Sequence, residues 1–394
     1  MTKQTDSAVE ASQSRRTVSS RALSSLVLGV GFGLTGAGTV MLGVLLPSLS
    51  QAWGLRDDTA GFLFFLQFLG SSAGALLTGP NRIRSLVGGY GLLVVMAGAL
   101  TFAGPKLAFP IFLFFGLGLG MAMTSTSLLF SDRYGQGRAA MLERLNFGWS
   151  AGATAAPLLF MPFLHRASLR PLFFTLQGLF LLLLIWVLVR ERQEENCAQT
   201  ATKATQTEGP AHLGALLPLV ILSVCAVGVE GSLSGWLTTY SHRADRAGLG
   251  GAAIATAVFW GGIMLSRLAF STRLLAMIGR RSVLYVTLWG AASSVALLVG
   301  ANNPTLIRVA AALAGLSVGP LYPLLLSYLL ERTSRGWIFA VAGLGSAIFP
   351  WLTGVLSAQY GSLRYGLIAP CCAALLMIIL LTVSLRPAQD RATT

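Results

Sequence analysis

Charge is what this sequence has least of. Only 11% of its 394 residues are Asp, Glu, Lys or Arg, against roughly 25% in soluble domains. The 14 acids are half as many as the 28 Lys and Arg. So few charges cannot cover a water-exposed surface for a chain of this length. Cysteine is scarce as well: Cys197, Cys225, Cys371 and Cys372 follow no ligand spacing, and three of them stand in or beside apolar runs, as small hydrophobes do. His165, His212 and His242 are scattered near loops, so no metal site is expected. No HExxH, GxSxG or carboxylate cluster occurs in any apolar run, which leaves catalysis without machinery, and no enzyme is expected.

What the sequence has is hydrocarbon. Hydrophobic residues make up 54% of the chain and the mean hydropathy is +0.70. Runs of about 20 apolar residues, the length that crosses a hydrocarbon core as a helix, recur at 22–49, 56–79, 84–103, 107–130, 139–163, 169–190, 214–241, 248–270, 281–300, 304–330, 335–360 and 364–385. Continuous apolar runs exclude a membrane barrel, whose strands would alternate. The first run is longer than the core of a leader peptide and lacks a small-x-small cleavage site, so it reads as a permanent span. The expected fold is an all-α integral membrane protein with twelve transmembrane helices.

An even number of spans puts both termini on one side. That side carries about 18 of the 28 Lys and Arg, including Arg15, Arg16, Arg280 and Arg281, while the other holds Arg56, Lys106, Arg166, Arg243 and a few more. The excess predicts cytoplasmic termini. The net charge of +14 then reflects this asymmetry and anionic headgroups, and requires no nucleic-acid partner.

The chain also repeats itself. Gly116, Gly120, Asp132, Arg133 and Gly137 recur as Gly315, Gly319, Glu331, Arg332 and Gly336 at one offset, and GATAAP at 152–157 is echoed by GSAIFP at 345–350. Two pseudo-symmetric six-helix bundles follow, at 22–190 and 214–385, with a tail at 1–21, a polar linker at 191–213 and a tail at 386–394. The linker joins the halves on the cytoplasmic side. Parallel repeats of this kind build a midplane site that opens alternately to each face.

With twelve spans in two related halves, the sequence resembles the major facilitator superfamily. VGVEGSLSGWLTTY (227–240), GLSVGPLYPLLLSYLLER (315–332) and VAGLGSAIFPWLTGVLSAQYGSLRYG (341–366) are similar to the branch of fucose–proton symporters and sodium-dependent glucose transporters. The resemblance implies alternating access by a monomer whose partners are a small-molecule solute and the lipid bilayer, and the compact chain without long loops is expected in a bacterial inner membrane. It also implies gating residues between the second and third spans, where Arg82 and Arg84 stand without the superfamily's acid, and in the matching region of the second half, where Arg267 reads as a gate or packing residue. The acids that such sugar symporters carry in spans one and four are missing here, so their coupling roles do not transfer.

One acid stands apart. Twelve of the fourteen lie in termini, loops or span ends, Glu143 is near the start of the fifth span, and only Glu230 is deep, in AVGVEGSLSGWLTTY (226–240) with no cation within several residues. Burying such a carboxylate is costly unless it is paired, neutral or wet. Ser223, Ser234, Thr238 and Ser241 share its helical face, which should look into the bundle. Gly228, Gly231 and Gly235 surround it and could let the helix unwind. Two readings stay open: Glu230 couples transport to an ion, or it only binds another helix.

Asn146, Trp149, Ser150 and Thr154 on the fifth span, and Gln67, Ser71, Gly74 and Thr78 on the second, form further partly polar faces, read either as ligands or as interhelical contacts. Trp236, Trp260, Tyr322 and Trp351 complete the candidate lining, since aromatic rings with a few amides and carboxylates suit a sugar. Pro157, Pro320, Pro323 and Pro350 are expected to bend the fifth, tenth and eleventh spans. The function expected is secondary transport of a small polar organic solute, a sugar first. No cofactor is implied beyond a coupling ion, a proton with sodium as the alternative. The rivals are an exporter of amphipathic drugs or metabolites and an uncoupled facilitator.

Overall fold

The computed structural model describes residues 2–134, 138–164, 168–191, 213–245, 248–270, 279–330 and 337–384, with side chains over 23–134, 141–164, 168–189, 216–244, 248–269, 279–329 and 341–382. Nearly all of the expected linker and all of the expected C-terminal tail lie outside the described residues. The helices are α1 (Thr2–Trp53), α2 (Asp57–Leu76), α3 (Arg82–Leu100), α4 (Pro105–Tyr134), α5 (Arg138–Leu164), α6 (Arg170–Trp186), α7 (Leu213–Asp245), α8 (Leu249–Phe270), α9 (Arg280–Gly300), α10 (Pro304–Val318), α11 (Leu321–Leu330), α12 (Trp337–Tyr360), α13 (Leu363–Gly366) and α14 (Ile368–Ser384). Among the described residues there is no strand. Twelve segments are long and apolar enough to cross a membrane; α10 with α11 forms the tenth and α13 with α14 the twelfth.

The connections carry the punctuation that short helix–helix turns need. Gly54 and Gly361, at φ +61° and +67°, follow the last residues of α1 and α12, where left-handed backbone ends a helix without steric penalty. The amide of Leu55 returns to the carbonyl of Ser50 at 3.0 Å and closes the first of these turns. Asn81 and Asn303 cap α3 and α10 by accepting from the amides of Arg84 and Leu306, each at 2.8 Å. Of the four prolines expected to bend their helices, Pro157 and Pro350 sit inside continuous α5 and α12, whereas Pro320 stands in the gap that separates α10 from α11 and Pro323 in the first turn of α11.

The repeated glycines explain how each half closes up. In lipid there is no hydrophobic drive between helices, so close backbone approach through small residues has to supply the contact. A β-carbon at Gly116 or Gly120 of α4 would overlap the carbonyls of Gln67 or Ser71 on α2. Their counterparts repeat the arrangement against α8, Gly315 on the carbonyl of Phe259 and Gly319 on Ser266 and Ile263. Gly152 of α5 rests in the same way on Gly33 of α1, and Gly345 of α12 on Val224 of α7. The internal repeat is therefore a repeat of helix contacts.

The two halves meet along α1 with α7, α2 with α12, and α5 with α8. On the side away from the termini the approach is close, with Gly43 against the backbone of Ser234 and Gly235, and Gly61 against Trp351 and Gly354. The candidate site lies where α5, α7, α8 and the α10–α11 break converge.

Candidate functional site

Glu230 has a cation after all. The Nη2 group of Arg267, one helix away on α8, lies 3.3 Å and 3.4 Å from its two carboxylate oxygens. Arg267 also donates from Nη1 to the Oγ of Ser150 on α5 at 3.1 Å, and from Nε to the carbonyl of Gly319 at 3.3 Å. That carbonyl is available for a local reason: its usual helical partner would be the amide of residue 323, which is Pro323 and has none. One guanidinium thus ties together α5, α7, α8 and the tenth span, and through Ser150 it bridges the halves. The pair is partly open, with side-chain exposures of 22% for Arg267 and 16% for Glu230.

An aromatic layer sits one step along. Ser234, a turn beyond Glu230 on α7, accepts a 3.1 Å hydrogen bond from the indole of Trp260, and Trp260 is two turns from Arg267 on the same face of α8. The ring of Trp149, from the opposite half, meets Trp260 edge to face at 5.2 Å between centroids. The Nε1 donor of Trp149 is buried with no acceptor among the described residues. Tyr322 at the start of α11 lies within electrostatic reach of both Glu230 and Arg267. Glu230, Arg267, Trp149, Trp260, Ser234 and Tyr322 are therefore one neighbourhood, to which Ser150 adds the cross-half contact.

Other residues singled out by sequence stand apart from it. Trp236 is fully buried, and its indole donates to the carbonyl of Pro350 at 2.8 Å, which fastens α7 to α12. Trp351 packs on Phe62 and Phe65 and is 39% exposed. Gln67 is buried between α1 and α4; its amide nitrogen donates to the carbonyl of Thr39 at 2.9 Å while its Oε1 has no donor among the described residues. Asn146 is exposed on the first turns of α5. Arg82 donates to the carbonyl of Gly79, in the turn before α3, and the amide of Arg84 is held by the Asn81 cap. Ser223, Thr238 and Ser241, which share the face of Ser234, are all buried, and Thr238 shares a 2.7 Å hydrogen bond with Thr256 of α8.

Sequence reasoning missed a second ion pair. On the side away from the termini, the carboxylate of Asp57 at the start of α2 accepts two bonds from Arg243 at the end of α7, at 2.6 and 2.7 Å, and a third from the Oγ of Ser357 on α12 at 2.6 Å. Asp57 is 9% exposed and Arg243 43%. Both were legible only as loop-proximal charges, because they are 186 positions apart. The bidentate geometry fastens the halves to each other at this end.

The sequence model of the Major Facilitator Superfamily matches residues 28–335. The chain belongs to the major facilitator superfamily. It is accordingly a multi-pass membrane transporter and not an enzyme. Among solved structures, a point mutant of the nucleoside transporter NupG is similar with a TM-score of 0.70 at 11% identity, covering 92% of this chain and 100% of that one. FucP, a superfamily transporter in the outward conformation, is similar with a TM-score of 0.59 at 14% identity, covering 93% of this chain and 100% of that one. At such identities the likeness is one of fold. No curated protein sequence matches.

Proposed function

We propose that this superfamily member is a secondary active transporter that moves a small polar organic solute, a sugar first, by alternating access, with a proton as the coupling ion and Glu230 as the coupling residue. It works as a monomer in a bacterial inner membrane with both termini cytoplasmic, a placement supported by the excess of Lys and Arg in the loops on the terminal side. The single observation that carries the reading is the partly open Glu230–Arg267 pair beneath the Trp149–Trp260 wall. A carboxylate whose partner also bridges the halves through Ser150 gives its charge state a mechanical consequence: neutralising Glu230 releases one hold on Arg267 and biases the contact between halves. The likeness to transporters of a nucleoside and, by the branch motifs, of fucose is consistent with a polar, hydroxyl-rich cargo.

The test is uptake of labelled hexoses, pentoses and their acids into proteoliposomes, with and without an inward proton gradient. Wild type should accumulate one of them only with the gradient, and Glu230→Gln should lose accumulation while keeping exchange. Flux indifferent to the gradient in both proteins would replace coupling by facilitated diffusion, and replacing the proton gradient by a sodium gradient distinguishes the two ions. A second reading, export of amphipathic compounds, draws on an apolar cleft of about 430 Å³ between α1 and α6, lined by Val30, Leu34, Leu182 and Trp186 among others. Absence of any saccharide flux together with protection of an expressing strain from a lipophilic dye would favour it.

A further inference from the structure

The chemistry of the site selects among polar solutes. Arginine offers five N–H donors and no acceptor. Arg267 commits Nε to Gly319, Nη1 to Ser150 and Nη2 to Glu230, so at least one N–H stays unassigned among the described residues. The buried indole N–H of Trp149 has no acceptor there either. The Ser234 hydroxyl already accepts from Trp260, and the carboxylate of Glu230 faces Arg267. Two donors beside the pair, one N–H of Arg267 and the indole N–H of Trp149, therefore stay without an assigned acceptor among the described residues. A neutral polyol brings hydroxyls that both donate and accept; a carboxylate brings acceptors alone, in the planar pair that matches a guanidinium fork.

The length of the ion pair points the same way. At 3.3 and 3.4 Å it is longer than the roughly 2.7–2.9 Å of a strong charge-assisted bond, and both partners keep some exposure. Glu230 thus holds Arg267 loosely, as a group that a better-fitting carboxylate could replace. We propose that the transported solute carries a carboxylate, as a sugar acid or a related hydroxy acid does, and that this carboxylate displaces Glu230 from Arg267. This rests on the transport reading above and narrows its cargo.

The exchange balances. The incoming carboxylate takes over the hydrogen bonds from Arg267, and Glu230, left as an unpaired charge in the bundle, takes a proton from water on the side from which the solute entered. An unpaired buried charge is costly and the proton removes that cost. One anion and one proton then move together, so the charge of the site and of the whole cycle is unchanged. The half-buried Trp149 ring offers an aromatic face to the C–H surface of the solute, Trp260 is buried and supports that ring edge to face, and the Trp149 N–H supplies a donor beyond Arg267.

The experiment uses purified full-length protein in proteoliposomes, with labelled glucuronate and galacturonate against glucose, galactose and glucose 6-phosphate. Binding is read independently from tryptophan fluorescence. Expected are uptake of a uronate that depends on the proton gradient and is indifferent to an imposed membrane potential, and a loss of at least tenfold in Arg267→Lys, which keeps the charge but not the fork. Glu230→Gln removes the competitor, so it should bind the uronate several-fold more tightly although it no longer accumulates it; a purely structural pair would give weaker or unchanged binding. Accumulation of a neutral hexose with the uronates excluded overturns the inference and leaves the transport reading intact, and so does preference for the phosphate ester. No flux of any of the five solutes overturns the inference, and no flux of any hexose, pentose or acid in the wider uptake panel overturns the transport reading as well.

Discussion

Two ion pairs in this protein differ in kind: one joins the halves directly, and the other lies within the second half and reaches the first through Ser150. Asp57 and Arg243 meet through two bonds of 2.6 and 2.7 Å, with Ser357 as a third partner. Glu230 and Arg267 are 3.3 Å apart at best and share one guanidinium with Ser150 and a proline-freed carbonyl. A short bidentate pair whose acid is closed from solvent on all but 9% of its side chain is built to stay made. The midplane pair is longer and shares its guanidinium with two further acceptors, which under the proposed function leaves it ready to be exchanged. Under the proposed function, the coupling acid differs from the locking acid in the geometry of its pair and not in its charge.

The comparison can be broken most decisively at Arg267. Arg267→Gln should lower transport efficiency by at least about a hundredfold, close to 3 kcal/mol, because it removes the hub that four segments share; near-normal uptake would reduce the midplane pair to packing. The next effect is expected at the other pair. Asp57→Asn keeps the volume of the side chain but removes the charge that Arg243 and Ser357 address, at a cost on the order of 1–2 kcal/mol, limited because Arg243 is half in water. It should loosen the end away from the termini. The measurement is labelling of Ser234→Cys by an impermeant thiol reagent in a cysteine-free background, faster with Asp57→Asn than without it; equal rates would show that this pair is no lock.

Smaller effects sharpen the contrast. Ser150→Ala removes the only recorded bond from Arg267 to the first half among the described residues and should slow exchange a few-fold with little change in solute affinity, since the Glu230 pair stays intact. Affinity falling in step with rate would instead make Ser150 a ligand. Ser357→Ala, which leaves the bidentate pair in place, should cost about 1 kcal/mol or less, visible as a small drop in melting temperature and no change in flux.

Much of the fold was legible because hydrocarbon thickness imposes a length on every apolar run and because the repeated glycines were visible as a constant offset. The same glycines turned out to be the points where α4 crosses α2 and α10 crosses α8. The tenth span was harder: Pro320 and Pro323 predicted a bend, and only the structure shows that the bend frees the Gly319 carbonyl for Arg267. Trp236 and Trp260 looked equivalent in sequence, yet one indole fastens α7 to α12 and the other lines the neighbourhood of Glu230. Span depth says how far a residue is from water and nothing about which helix it faces.

By itself the sequence determined the solvent of this protein, its twelve crossings, its internal duplication and the single deep acid, since each depends on composition or on spacing within one segment. Which cation answers that acid, and that a second acid at a span end is locked to the opposite half, was decided by tertiary structure alone. The partners are 37 and 186 positions apart, and pairing at such separations is set by how helices pack across the bundle, which no local pattern encodes.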